Sequence, residues 1–331
     1  MKFLSKIAWK LIGKIALMVL SAVAVLFLLA WGGLWIARAV VYSDYIANKE
    51  TVCKIPGLNE DFVPQGLTHT EDETYIFTGY VGKTHEMAIY LVKDNEAKEI
   101  IPVKEDGSRW SGHGGGAAVA GNFLYVANEA GEIVMFNLLD LITAKDGSKV
   151  QHFDSFENVT NASFCFVDGN SLYVGEFYRP VDYETNPAHA YTTPAGDEHH
   201  AWVCRYALDS EGFIENHTPN QVISIREQIQ GFAVKDDVYM LSSSWGVSTS
   251  KLDFYKGLNN AETTVTVNES EVPLFYLDSS NHTKTLDMPA FSEDLTVVDD
   301  RVLVSFESAC NKYIVGKLFG ANKLISYPIP E

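Results

Sequence analysis

Gln65, His113, Ser163, Glu176, Gln230, Ser244, Glu293 and Glu307 lie far apart in the chain, yet each stands at an equivalent place in a repeating pattern. They are carboxylates, amides, hydroxyls and an imidazole. Brought together in one concave space, polar groups of this mix bind and orient a small ligand. Asn128, Glu129 and Ser292 stand at matching positions and join the set. The competing reading is a channel lined with polar side chains because water fills it. Glu176, Glu293 and Glu307 also suit calcium, which takes about six to eight oxygens from carboxylates, amides and carbonyls. No EF-hand loop or other contiguous calcium motif accompanies them.

Other motifs point to less. The run GHGGG at Gly112–Gly116 is similar to the oxyanion-hole motif of esterases, but that chemistry needs a G-x-S-x-G nucleophile elbow and the chain has none. The glycines instead suit a place where strands crowd and a Cβ does not fit. His189, His199 and His200, beside Asp197 and Glu198, offer zinc-ligand types without a zinc-ligand spacing. A hydrated loop, or a lid over a channel mouth, is the expectation there. Cys53, Cys165, Cys204 and Cys310 form no C-x-x-C pair. Cys53 and Cys310 both fall in the last repeat described below, which makes them a disulfide candidate in an oxidising compartment. Cys165 and Cys204 read as buried thiols.

The elements that must position these residues are short strands. TYIFTGY, NFLYVAN, SLYVGEF, DVYMLSSS and RVLVSFES are rich in Val, Ile, Tyr and Phe and bounded by turn residues. Each follows a small or polar anchor: Gly66, Gly116, Ser163, Gly231 and Asp294. From anchor to the core of the next strand (Tyr75, Tyr125, Tyr173, Tyr239, Leu303) the steps are 9, 9, 10, 8 and 9 residues, the signature of a hairpin of constant length. The turns between are EDE, AGN, DGN, KDD and DDR, all hairpin chemistry. The anchors are 50, 47, 68 and 63 residues apart, which matches propeller blades with insertions at 179–200 and 257–271. The expected fold class is therefore all-β, a β-propeller of five blades, or six if Val272–Pro289 forms one of its own. TVCKIP, near the start of the body, is expected to complete the last blade and so remove an exposed edge.

Residues 15–36 carry no charge over 22 positions, roughly 33 Å as a helix and enough for a hydrocarbon core of about 30 Å. Lys2, Lys6, Lys10 and Lys14 precede it without an acid, so the N-terminal flank (1–14) is expected in the cytoplasm and the body outside. A cleaved signal peptide would have a shorter apolar run and a small-residue cleavage site. The expected organisation is a basic flank at 1–14, a signal-anchor helix at 15–36, a tether at 37–50 and an extracytoplasmic propeller at 51–331. The net charge of -18 excludes a nucleic-acid surface.

VPQG, HGGG, ASF, GEFY, QG, SSSWG, MPAFSE and FESACNKY together resemble motifs of a large group of uncharacterised secreted or membrane-anchored bacterial β-propeller proteins, near the strictosidine-synthase-like and TolB-like propellers. The resemblance spans nearly all of 51–331 and implies a fold and a compartment rather than a reaction. The resulting functional expectation is a membrane-anchored scaffold that binds an unidentified small molecule or protein at its central channel. The alternative is a calcium-assisted hydrolase of the lactonase or esterase type.

Overall fold

The computed structural model describes residues 2–259, 263–313, 316–317 and 320–330. The chain divides into two compact units, one ending at Ala47 and the other beginning at Asn48.

The first unit is helical. One helix spans Lys2–Val41, and its part from Leu11 to Val41 is long and apolar enough to cross a membrane. A short second helix covers Ser43–Asn48. The segment 37–48, expected as a tether, is therefore largely helical. Ala37, Arg38 and Ala39 are good helix formers, and no Gly or Pro interrupts them.

The second unit is a five-bladed propeller, built as five mainly antiparallel sheets around one axis. The inner strands are Phe62–His69, Gly116–Ala120, Ala162–Asp168, Ile229–Lys235 and Ser292–Val298, and each contains or begins at one of the anchors. The hairpin turn after each inner strand places at least one residue at positive φ: Glu73, Gly121, Gly169, Asp236 and Asp299. Such turns need residues that tolerate left-handed backbone, which explains the recurrent Asp, Asn and Gly.

At the axis the inner strands meet backbone to backbone. A Cβ on Gly66 would fall 2.7 Å from the carbonyl carbon of Gly116, and one on Gly231 would fall 2.8 Å from the Cα of Asp294. Asp294 is fully buried, and its Oδ2 accepts from the amides of Leu67 at 3.0 Å and Ala117 at 3.1 Å. One carboxyl thus ties blade five to blades one and two.

Glu50–Lys54 forms the outermost strand of blade five, pairing with Lys323–Pro328 in the order expected for closure. Two other expectations change. VPLFYLD is a strand, but Ser270–Tyr276 adds in parallel to Gln221–Ile225 at the outer edge of blade three, so no sixth blade forms. Blades one and two share one segment: Ser148–Gln151 adds in parallel to the outer edge of blade one, and Asp154–Glu157 completes blade two. Cys53 and Cys310 are both free, buried thiols. Cys53 lies on the outermost strand, while Cys310 follows the second strand Arg301–Phe306, and Lys323–Pro328 stands between those two strands. Burial pushes each thiol up to about 11.

Candidate functional site at one mouth of the propeller

Hairpins of constant length place the first half of each inner strand, or the loop just before it, and the residue after each second strand at the same end of the ring. There they enclose a cavity of about 770 Å³. Gln65, His113, Ser163, Gln230, Ser244, Glu293 and Glu307 all line it, with Asn128 and Glu129. All five blades contribute.

Glu176 does not join them. It is fully buried, its Oε1 lies 2.6 Å from His189 Nδ1 and accepts from the Trp202 amide at 3.0 Å, and its Oε2 accepts from the Asn161 amide at 3.2 Å. The insertion 179–200 causes this: a turn at Pro187–His189 carries the imidazole onto the carboxylate and stacks it on Trp202 at 3.8 Å. Equivalence in the repeat placed Glu176 beside Glu307, but local capture overrides it. The expected calcium set of Glu176, Glu293 and Glu307 is therefore not assembled around one point. The insertion is not a hydrated histidine loop either. His189 and His199 are both buried, and His199, hydrogen-bonding distance from Ser224 Oγ, is pushed down to about 4 chiefly by that burial. His200 stacks on Tyr178. Asp182, Tyr183 and Glu184 of the same insertion form part of the cavity wall.

Glu293 and Glu307 form a buried pair, hydrogen-bonded to each other. Gln65 Nε2 donates to Glu307 Oε2 at 3.0 Å and to the Pro64 carbonyl at 3.0 Å. The Tyr313 hydroxyl also donates to Glu307. Burial pushes Glu307 up to about 7, and burial with the neighbouring Glu307 charge pushes Glu293 well above the usual carboxyl range. The physical cause is common to both: little water reaches the pair, and like charges at hydrogen-bonding distance cannot both ionise. At neutral pH the pair keeps at least one proton, so it can donate and accept. Lys312 supplies a cation beside it, donating to the Tyr80 hydroxyl and lying 5.3 Å from the Tyr313 ring centre.

The opposite walls differ. Phe177, Tyr183 and Trp245 form an aromatic side, with the Arg179 guanidinium 4.0 Å above the Trp245 ring. A third patch holds His85, His113 and Glu129. Glu129 Oε1 lies 2.6 Å from His85 Nε2 and 2.8 Å from His113 Nδ1. Burial lowers the His113 imidazole from its usual value, with the Glu129 charge opposing that shift.

Several of these residues escaped the sequence. Lys312, Tyr313 and Trp245 sit inside FESACNKY and SSSWG, so a signal existed, but it marked blades rather than a site. His85 gave none, since it belongs to a hairpin turn between the second and third strands of blade one.

No family model and no curated protein matches the sequence. Among solved structures, the chain is similar to the glutaminyl cyclase of Myxococcus xanthus at 8% identity, covering 85% of this chain and 95% of that one with a TM-score of 0.44. It is similar to the WD40 propeller domain of Doa1 at 8% identity, 86% and 98% coverage and a TM-score of 0.41. The computationally designed Ika4 protein aligns at 9% identity, 65% and 89% coverage and a TM-score of 0.28. These values carry nothing about activity; the blade count rests on the strand ladders.

Proposed function

We propose that this protein is a single-pass membrane protein whose extracytoplasmic propeller binds a small, uncharged polar ligand in the mouth cavity. The observation that carries the reading is the convergence of all five blades on one cavity with a proton-sharing carboxyl pair on one side and an aromatic wall on the other. Glu293 and Glu307 would donate to and accept from an amide or hydroxyl, and Trp245 and Phe177 would cover an apolar face. A rigid ring that presents loops and strand ends is a common framework for binding.

Thermal shift of the full chain in detergent, against a panel of small amides, polyols and lactones, tests this. A ligand at about 100 times its Kd stabilises by roughly 2.7 kcal/mol, which moves a domain of this size by about 4–5 °C. Trp245→Ala and Gln65→Ala should each reduce that shift substantially. Stabilisation that survives both substitutions, or no stabilising compound in any class, counts against the reading.

The location rests on the uncharged helix and on Lys2, Lys6, Lys10 and Lys14 before it. Protease applied to the outside of intact cells should digest the propeller. A protected propeller would overturn the orientation, and spontaneous release of a soluble body would identify the helix as a cleaved signal.

A calcium-assisted hydrolase is the second reading. Without Glu176 it would rest on Glu293 and Glu307, and those two are short of the six to eight or so oxygens calcium takes. Equal melting temperatures in chelator and in millimolar calcium would remove it.

A further inference from the structure

We propose that His85, His113 and Glu129 form a binding site for a zinc-class divalent metal ion on the wall of the mouth cavity. This is a different site from the carboxyl pair, with a different donor chemistry. One ligand atom from each of the three residues lies within 4.8 Å of the others. Zinc bonds of about 2.0–2.2 Å at tetrahedral angles put donor atoms roughly 3.3–3.5 Å apart. The Glu129 oxygen already lies 2.6 and 2.8 Å from the two imidazole nitrogens, so each of these two pairs needs to open by under about an ångström to admit the ion.

The donor types select the metal. Two imidazole nitrogens with one carboxylate oxygen suit zinc and its late first-row neighbours, whereas calcium and magnesium take oxygens. Three protein ligands leave a fourth position. His113 and Glu129 line the cavity, so that position is available to a water or to an oxygen of a bound molecule.

The backbone holds the donors from three separate segments. His85 sits at φ 58, a left-handed conformation that histidine adopts more readily than most non-glycine residues, at the end of the hairpin turn after Tyr75–Val81. Its carbonyl accepts from the Gly112 amide at 3.1 Å, which clips this turn to the loop bearing His113. That loop needs its glycines: Gly112 and Gly114, on either side of His113, have φ of 127° and 54°. Glu129 opens the single turn Glu129–Gly131 after the second strand of blade two. Tyr80 packs against both imidazoles, with ring centres 4.8 and 5.0 Å away, and limits their rotation. Without a metal the same trio is a hydrogen-bonded network in which Glu129 accepts from both rings.

The test is zinc alone, titrated calorimetrically into chelator-stripped full chain in detergent, with cobalt substituted to report ligand field by its visible absorption. One equivalent should bind at micromolar or lower concentration, unaffected by excess calcium or magnesium. His85→Asn keeps a residue that tolerates positive φ, and Glu129→Gln keeps the shape; each should weaken binding by roughly 100-fold or more and change the cobalt spectrum. His217→Ala, at a ring stacked on Phe156 and outside the cavity lining, should bind as the parent does. Melting curves establish that each variant folds, and either of the first two suffices if the other does not. Absent binding at micromolar zinc, or binding that survives both substitutions, overturns the proposal. Because no organic ligand is present, the outcome is independent of the ligand reading above.

Discussion

Deleting Glu50–Lys54 and rejoining the chain should abolish most of the cooperative melt of the propeller, or leave it aggregated. This strand pairs with Lys323–Pro328 through Glu50↔Ser326, Thr51↔Ile325, Cys53↔Leu324 and Lys54↔Lys323. Its removal uncovers the edge of blade five and the buried side chains beneath, including Leu324 and Tyr327. It also removes Glu50, whose carboxylate lies 3.4 Å from the Arg301 guanidinium. The ring is joined at one place by strands from opposite ends of the domain, so the loss is not confined to one blade. An exposed edge also pairs readily with other chains, which is why aggregation is the companion outcome. Circular dichroism melts with light scattering read both. An unchanged melt would show that Lys323–Pro328 closes the ring alone.

The second large effect is a pH dependence. Burial raises the carboxyls of Glu293 and Glu307, and that of Glu307 reaches about 7. The folded protein therefore holds protons that the unfolded chain has released, and stability is present below about pH 4.5 and lost as pH rises through about 7. For Glu307 the loss is on the order of 3 kcal/mol, or roughly 5 °C in melting temperature. Glu307→Gln is neutral at every pH and similar in shape, so its melting temperature should fall much less between pH 5 and pH 8. Asp294 is also raised by burial, but it is present in both proteins and cancels in the comparison. Asp72, Asp106, Asp197 and Glu271, held low mainly by hydrogen bonds from neighbouring groups, titrate below the window. Parallel slopes for the two proteins would mean that Glu307 is already ionised at pH 5, and the proton-sharing pair would fall with that result.

What the sequence determined by itself was periodic. Short runs rich in Val, Ile, Tyr and Phe, turn chemistry and constant anchor-to-strand steps are local properties, and they specified the inner hairpins, the ring and its closing strand. Because a repeat maps onto rotation about an axis, they also brought Gln65, His113, Ser163, Gln230, Ser244, Glu293 and Glu307 to one mouth. The uncharged run before the body is legible for the same reason, since length and charge alone decide whether a helix can cross a bilayer. Tertiary structure decided whatever depends on departures from the repeat. The insertion 179–200 captured Glu176 with His189, and nothing local to GEF announces that a histidine 13 residues onward will return to it. The Ser270–Tyr276 strand chose the open edge of blade three, because an edge offers unpaired backbone groups wherever in the sequence its new neighbour lies. His85, His113 and Glu129 come from three loops of unrelated length, and only the packing of blade one against blade two sets their nitrogens and oxygen side by side. The protonation of Glu293 and Glu307 is likewise a property of enclosure, for two carboxyls share a proton only once folding has removed the water that would ionise both.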